Sequence, residues 1–176
     1  MRTFDPWIGS RYMTDGVQGV RLLILGESHY GLPGDMRSTF TVDVVRWLGQ
    51  QHRFRFFTII QRLVTGTNGW LSNDDRSEFW ERVAFYNYIQ SFPGTRPRWR
   101  PTPEMWLAAR DPFLQTVNEL SPQVLLVLGK ELSFNLPNLP AAISVCKVQH
   151  PSSRGFRYAN WRPQVKTALE AAQPKA

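Results

Sequence analysis

The sequence predicts an α/β domain: three layers, α/β/α, around a four-stranded, mostly parallel central sheet. Two observations carry that expectation. Four short apolar runs, VRLLILGE (20–27), VAFYNYIQ (83–90), PQVLLVLG (122–129) and AISVCKVQ (142–149), are continuous rather than alternating, the pattern of strands buried on both faces. Between them lie segments whose apolar residues recur at helical spacing, and strands alternating with helices imply parallel pairing with helices on both faces.

In chain order, residues 1–19 read as an extended lead-in anchored by Trp7 and Tyr12. The first strand closes at Gly26, and GLPGD (31–35) breaks the structure with two glycines and a proline. Phe40, Val44, Trp47 and Leu48 then mark a helix, and Phe56, Ile59, Ile60 and Leu63 mark a second over 54–64, ended by Gly66, Asn68 and Gly69. SNDDRSEFWERV offers a serine N-cap to a short helix before the second strand. A loop from Ser91 to Pro101 leads to PTPEMWLAARDPFLQTVNEL, where Thr102 caps, Pro103 takes the first helical position, and Pro112 kinks or splits the helix. The third strand is followed by a short helix in KELSFNL. The fourth runs into HPSSRGFRYANWRP, and NWRPQVKTALEAA closes the chain as a helix.

Composition narrows the function classes. With 176 residues and 42% hydrophobic content the chain fits one domain, 1–176, with a sizeable core. No apolar run approaches the roughly 18 residues of a membrane span, and the first residues lack the apolar stretch of a signal peptide, so a cytoplasmic protein without membrane contact is expected. A single cysteine, Cys146, excludes an internal disulfide or a cysteine-held cluster, and the three histidines lack metal-ligand spacing, so neither metal nor cofactor is expected. The net charge of +7 favours an anionic partner, nucleic acid above all. RFRFF (53–57) and TRPRWRP (95–101) concentrate arginine among aromatics and proline. The second, with Arg96, Arg98 and Arg100, suits a phosphate-contacting loop; RFRFF fits a solvated surface or a protein contact as well.

Ligands of parallel sheets bind beyond the carboxyl ends of the strands. The polar residues at those ends are Glu27 to Tyr30, Asn87, and His150 to Ser153, which we expect to form one cleft. GESHYG (26–31) invites a nucleophile-elbow reading with Ser28 as the attacking group. That turn needs small residues on both sides of the serine, and Tyr30 stands where the second glycine belongs. His150 would be the base, with no acidic residue placed to orient it.

Taken together, these motifs resemble the uracil-DNA glycosylase superfamily from about Val20 to Trp161. Gly26-Glu27-Ser28-His29-Tyr30-Gly31 is similar to the family's first motif, Gly-Gln-Asp-Pro-Tyr-His in one branch and Gly-Glu-Ala-Pro-Gly in the iron–sulfur branch. Ser38-Thr39-Phe40-Thr41-Val42 stands where relatives carry a stacking aromatic, and Phe85-Tyr86-Asn87-Tyr88 resembles the strand with the base-reading asparagine. RPTPE (100–104) and SPQVLLVLGKEL (121–132) are similar to the iron–sulfur branch, and His150-Pro151-Ser152 matches the final motif.

The resemblance implies a uracil-DNA-glycosylase-like fold and hydrolysis of the N-glycosidic bond of uracil or another deaminated base flipped out of DNA, an activity of base excision repair. Gly26, Tyr30, Phe40 and Asn87 would bind the base. Phe40 would stack on it, and the Asn87 amide matches the adjacent O4 and N3–H of uracil. His150 would stabilise the negative charge left on the base, with Glu27, Ser28 and His29 beside it in the catalytic loop. Ser152, Ser153, Arg154 and Phe156 would meet DNA with the arginine loop, Arg154 or Phe156 filling the gap left by the flipped base. No suitably placed lysine points to a covalent intermediate, and a monomer on single- or double-stranded DNA is expected.

Three departures stand out. Ser28 occupies the place of the first-motif aspartate, His29 replaces the usual proline, and the cluster cysteines are missing. A catalytically inactive nucleic-acid- or nucleobase-binding relative, or an enzyme or sensor for free nucleobases, is the alternative.

Overall fold

The computed structural model describes residues 1–97 and 99–173. Its centre is a five-stranded mixed sheet, not the expected four. The four apolar runs supply β2 (Leu22–Gly26), β3 (Ala84–Asn87), β4 (Val124–Leu128) and β5 (Ser144–Val148). The additional strand, β1 (Trp7–Ile8), pairs antiparallel with β3 at the sheet edge, giving the order β1-β3-β2-β4-β5. Two residues cannot display a periodicity, and β1 is held by groups outside itself. The Trp7 indole N–H donates to the Trp80 carbonyl at 2.8 Å, and Gly9 N–H donates to Val83 at 3.0 Å. Gly9 is required there because a Cβ would lie 2.3 Å from the Glu81 backbone.

The other four strands run parallel, with β2 flanked by β3 and β4 and β5 beyond β4. Every residue of β2, β3 and β4 is buried, as the continuous apolar runs require. The second edge strand differs: Val145 and Lys147 of β5 are exposed, while Cys146 and Val148 point into the core. Alternate side chains of the sheet enter two apolar cores. On one face Leu22, Ile24, Phe85 and Leu126 pack with α2 (Arg55–Thr65), α3 (Asn73–Trp80) and α7 (Tyr158–Ala172). On the other, Leu23, Leu25, Tyr86 and Val127 pack with α5 (Arg110–Leu120) and Leu132 of α6 (Lys130–Phe134). Each such fully buried leucine or isoleucine contributes about 1.5–3 kcal/mol of transfer free energy, so the sheet is the rigid platform on which its edge residues are fixed.

The helical segment 103–120 divides as Pro112 requires, into α4 (Pro103–Ala108) and α5. The break falls at Ala109, which leaves Pro112 in the first turn of α5, where a missing N–H costs nothing. Thr102 caps α4, its hydroxyl accepting from Met105 N–H at 3.4 Å. The helix begun at Phe40 is a five-residue α-turn, α1 (Phe40–Val44), that widens into a π-helical turn over Val45–Gln51. Among the described residues no helix is long and apolar enough to cross a membrane.

Candidate active site

Parallel pairing places the carboxyl ends of β2, β3, β4 and β5 along one edge of the sheet. The register puts Gly26 opposite Asn87, and Gly129 N–H donates to the Val148 carbonyl at 2.9 Å. Along that edge stand Asn87, then Gly26 and Glu27, then Gly129, then His150. The expected residues from strand ends therefore do share one edge.

Asn87 is 5% exposed, yet its side-chain amide makes no hydrogen bond within the described residues. Its backbone carbonyl is bound instead, accepting from Gln90 Nε2 at 2.8 Å. The amide projects across the neighbouring strand: a Cβ on Gly26 would lie 2.1 Å from Asn87 Oδ1 and 3.1 Å from Phe85 Cζ. Glycine at 26 is thus a matter of space, which the Asn87 amide occupies. A nearly buried amide with unspent donors and acceptor takes its partners from water or from a ligand.

His150 has a defined tautomer. Ser152 N–H donates to His150 Nδ1 at 3.1 Å, so Nδ1 is the acceptor and the neutral ring carries its proton on Nε2. Burial, and secondarily the charge of Arg100, lower its pKa from the ordinary histidine value and keep the ring neutral. The ring leans on Phe56 with centroids 5.4 Å apart, and Phe56 in turn meets Phe85 beneath Gly26 at 6.4 Å. Phe56 thus joins the His150 end of the edge to the Asn87 end.

The residues expected to form the catalytic loop divide. Glu27, with a side chain 13% exposed, pairs with Arg100, whose guanidinium lies 3.3 Å from Oε1 and 3.4 Å from Oε2. Arg100 also pairs with Glu131, so this arginine is committed to carboxylates of the edge rather than presented to phosphate. Ser28 Oγ is buried and has no hydrogen-bond partner within the described residues. His29 turns away from the polar edge into an aromatic nest. Its ring is buried, sits edge-on to Phe4 and Phe40 with centroids 5.4 and 4.9 Å away, and places Nε2 2.8 Å from Thr41 Oγ. Burial lowers its pKa to about 3, which makes it a structural neutral ring.

Phe40 is half-buried, packed edge-on by Phe92 at 5.0 Å as well as by His29. The Arg37 guanidinium lies over its ring, 5.3 Å from the centroid, held by Asp43 at 3.0 Å. Tyr30, which follows His29 in the chain, is half-buried. In the final loop Ser153 N–H donates to the His150 carbonyl at 2.9 Å, and Ser152 and Arg154 are exposed. Phe156 packs on the core and edge-on against Tyr158, leaving Arg154 as the projecting side chain of the loop. Arg96 is exposed, and Arg98 lies outside the described residues.

Four participants escaped the sequence reading: Phe4, Phe92, Phe56 and Arg37. Phe4 and Phe92 come from unpatterned segments and meet through Gln90, whose Oε1 accepts from the backbone N–H of Thr3 and Phe4 at 3.0 and 2.9 Å. Phe56 lies within RFRFF, whose apolar member facing the sheet is indistinguishable in sequence from the exposed Phe54. Among the described residues no three His, Cys, Asp or Glu side chains gather to hold a metal.

Comparison of the sequence with models of known protein families gives no match, and comparison with curated proteins gives none either.

Proposed function

We propose that this chain is a monofunctional DNA glycosylase with a three-layer, uracil-DNA-glycosylase-like fold, hydrolysing the N-glycosidic bond of uracil or another deaminated base flipped from DNA. The observation that carries the reading is the Asn87 amide, nearly buried, unspent, and given room only by the glycine opposite. An amide in that setting is a reader of a ligand edge that alternates acceptor and donor, as the O4 and N3–H of uracil do. His150 supports it: a neutral ring held with Nε2–H as donor suits an anion that forms during reaction, and costs no proton rearrangement when it does. As the bond from C1′ to the base nitrogen breaks, its electron pair passes to the base, His150 Nε2–H hydrogen-bonds the base oxygen that gains charge, and water adds to C1′, its released proton passing through solvent to the departing base anion. Phe40 stacks on the base once Arg37, an exposed side chain, swings off the ring.

A non-catalytic reader of nucleobases in DNA is the second reading. It is favoured by one feature, Glu27 being engaged by Arg100, which leaves the loop without a free carboxylate. Incubation with single- and double-stranded oligonucleotides carrying uracil, hypoxanthine or xanthine, followed by alkali, separates the two. Strand breakage at one of these bases is expected; binding without breakage on any of them leaves the second reading.

A further inference from the structure

A cleft of about 390 Å³ opens between α2 and the Pro151–Tyr158 loop, and Asn87 does not line it. Its floor is one face of α2, where Arg55, Thr58, Ile59 and Arg62 recur at helical spacing. Arg53 and Arg76 complete the basic lining, and among the described residues no carboxylate borders the cleft. Trp70 forms one wall, 75% exposed, with the Arg53 guanidinium over its ring. Pro151 and Phe156 form the other, so the cleft and His150 are served by the same loop.

The charge of this cleft is unbalanced. Arg76 is 2% exposed, and its guanidinium is held by neutral acceptors alone: the carbonyls of Gln50, Leu71 and Gln51 at 3.1, 3.2 and 3.4 Å and Asn73 Oδ1 at 2.6 Å. Arg62 Nε is buried with no acceptor within the described residues. None of Arg53, Arg55, Arg62 or Arg76 pairs with a carboxylate among the described residues, although arginines elsewhere in the chain do so repeatedly. Burial and the neighbouring charge of Arg76 lower the pKa of Arg53. A buried cation without a counter-ion is expensive, and an anion entering the cleft relieves that cost.

We propose that this cleft is a seat for one nucleotide unit of single-stranded DNA, its phosphate on the arginines and its base stacked on Trp70. Phosphate suits planar guanidinium donors, and an exposed indole beside them supplies a stacking platform that accepts any base. A strand whose reacting nucleotide lies against His150 reaches the cleft by crossing Pro151. The proposal deepens the glycosylase reading in this last respect alone; the cleft chemistry stands without it.

The test uses a fluorescein-labelled eight-nucleotide thymidine oligomer, which has no base for the Asn87 site to release. Binding is measured by anisotropy over a salt series, with the wild type, Arg53→Gln/Arg55→Gln and Trp70→Ala, each first checked for an unchanged melting temperature. Both arginines and Trp70 are exposed, so the fold tolerates their loss. The arginine pair should weaken binding at least tenfold and flatten the salt slope by about 0.7, the contribution of one phosphate contact on a single strand. Trp70→Ala should weaken it about tenfold with the salt slope unchanged. Unchanged affinity in both variants overturns the proposal. Equal affinity for dTMP or inorganic phosphate overturns the strand assignment, and competition by hepta-glutamate as strong as by unlabelled oligomer overturns the nucleotide assignment. Base release from a uracil oligomer, measured in parallel, keeps the two readings apart. Lost oligomer binding with no release by any form refutes the glycosylase and retains the cleft; release with unaltered oligomer binding refutes the cleft alone.

Discussion

His29 makes the chain sensitive to acid in a way that can be isolated. In the native state its ring is buried among Phe4, Phe40 and Thr41 with a pKa near 3; unfolded, it titrates at its ordinary value of 6.5. Between those values the unfolded chain binds the proton and the native chain does not, so stability is fully present above 6.5 and is lost as pH falls. The loss approaches about 1.4 kcal/mol per pH unit, or about 2.7 kcal/mol between pH 7.5 and 4.5. His150 adds to the same trend, its pKa also being lowered, but equally in wild type and variant. The perturbation is His29→Gln, which keeps an amide near the Nε2 position for Thr41 and removes the titration. Urea unfolding at pH 7.5, 6.5, 5.5 and 4.5 should show the stability difference between wild type and variant shifting by about 2–3 kcal/mol toward the variant as pH falls. Parallel pH profiles would refute the burial argument.

Three further outcomes follow from single contacts. Gly26→Ala puts a Cβ 2.1 Å from Asn87 Oδ1, so the amide must turn away; base release should fall by about 100-fold for a loss of about 1–3 kcal/mol in stability, read by single-turnover kinetics beside urea unfolding. Trp7→Phe leaves the Trp80 carbonyl without its 2.8 Å donor and should cost about 1–3 kcal/mol, measured by urea unfolding. Ser72→Ala removes a reciprocal cap of α3, in which Asp75 N–H donates to Ser72 Oγ at 3.0 Å and Ser72 N–H to Asp75 Oδ2 at 2.8 Å. It should lower stability by about 1 kcal/mol and the melting temperature by about 2–4 °C.

How much of this was legible in the sequence depended on whether the determinant was local. β2, β3 and β4 could be read because full burial imposes an unbroken apolar run, and the proline at 112 because its missing N–H constrains the chain wherever it sits. Asn87 was legible as a polar residue ending such a run. β1 was not, since Trp7 and Ile8 have no pattern of their own and owe their pairing to β3 and the Trp80 carbonyl. Nor was the fate of His29: GESHYG specifies a loop at a strand end, but the ring's direction is set by Phe40, Thr41 and Phe4, the last held there by Gln90 from a distant part of the chain. Arg100 illustrates the same limit. Its setting among prolines suggests a phosphate contact, whereas its partners Glu27 and Glu131 follow other strands and become neighbours only when the sheet forms.

The same distinction sorts the basic clusters. TRPRWRP reads as the phosphate loop, yet Arg100 within it is neutralised. RFRFF, equally compatible with bland surface, splits on folding: Phe56 and Phe57 face the sheet, and Arg55 with Arg53 just before the helix line the cleft with Trp70. A chain with a net charge of +7 does not distribute its usable charge by density in the sequence, but by which arginines lack a carboxylate once it has folded.

The most direct test of the glycosylase reading is single-turnover release of uracil from a single-stranded oligonucleotide by the wild type, Asn87→Ala and His150→Ala. The reading predicts release by the wild type and rates at least about 100-fold lower in each variant, as loss of a group aligned with developing charge or with the base edge entails. No release by the wild type from uracil, hypoxanthine or xanthine oligonucleotides, single- or double-stranded, or equal rates in all three proteins, would contradict it.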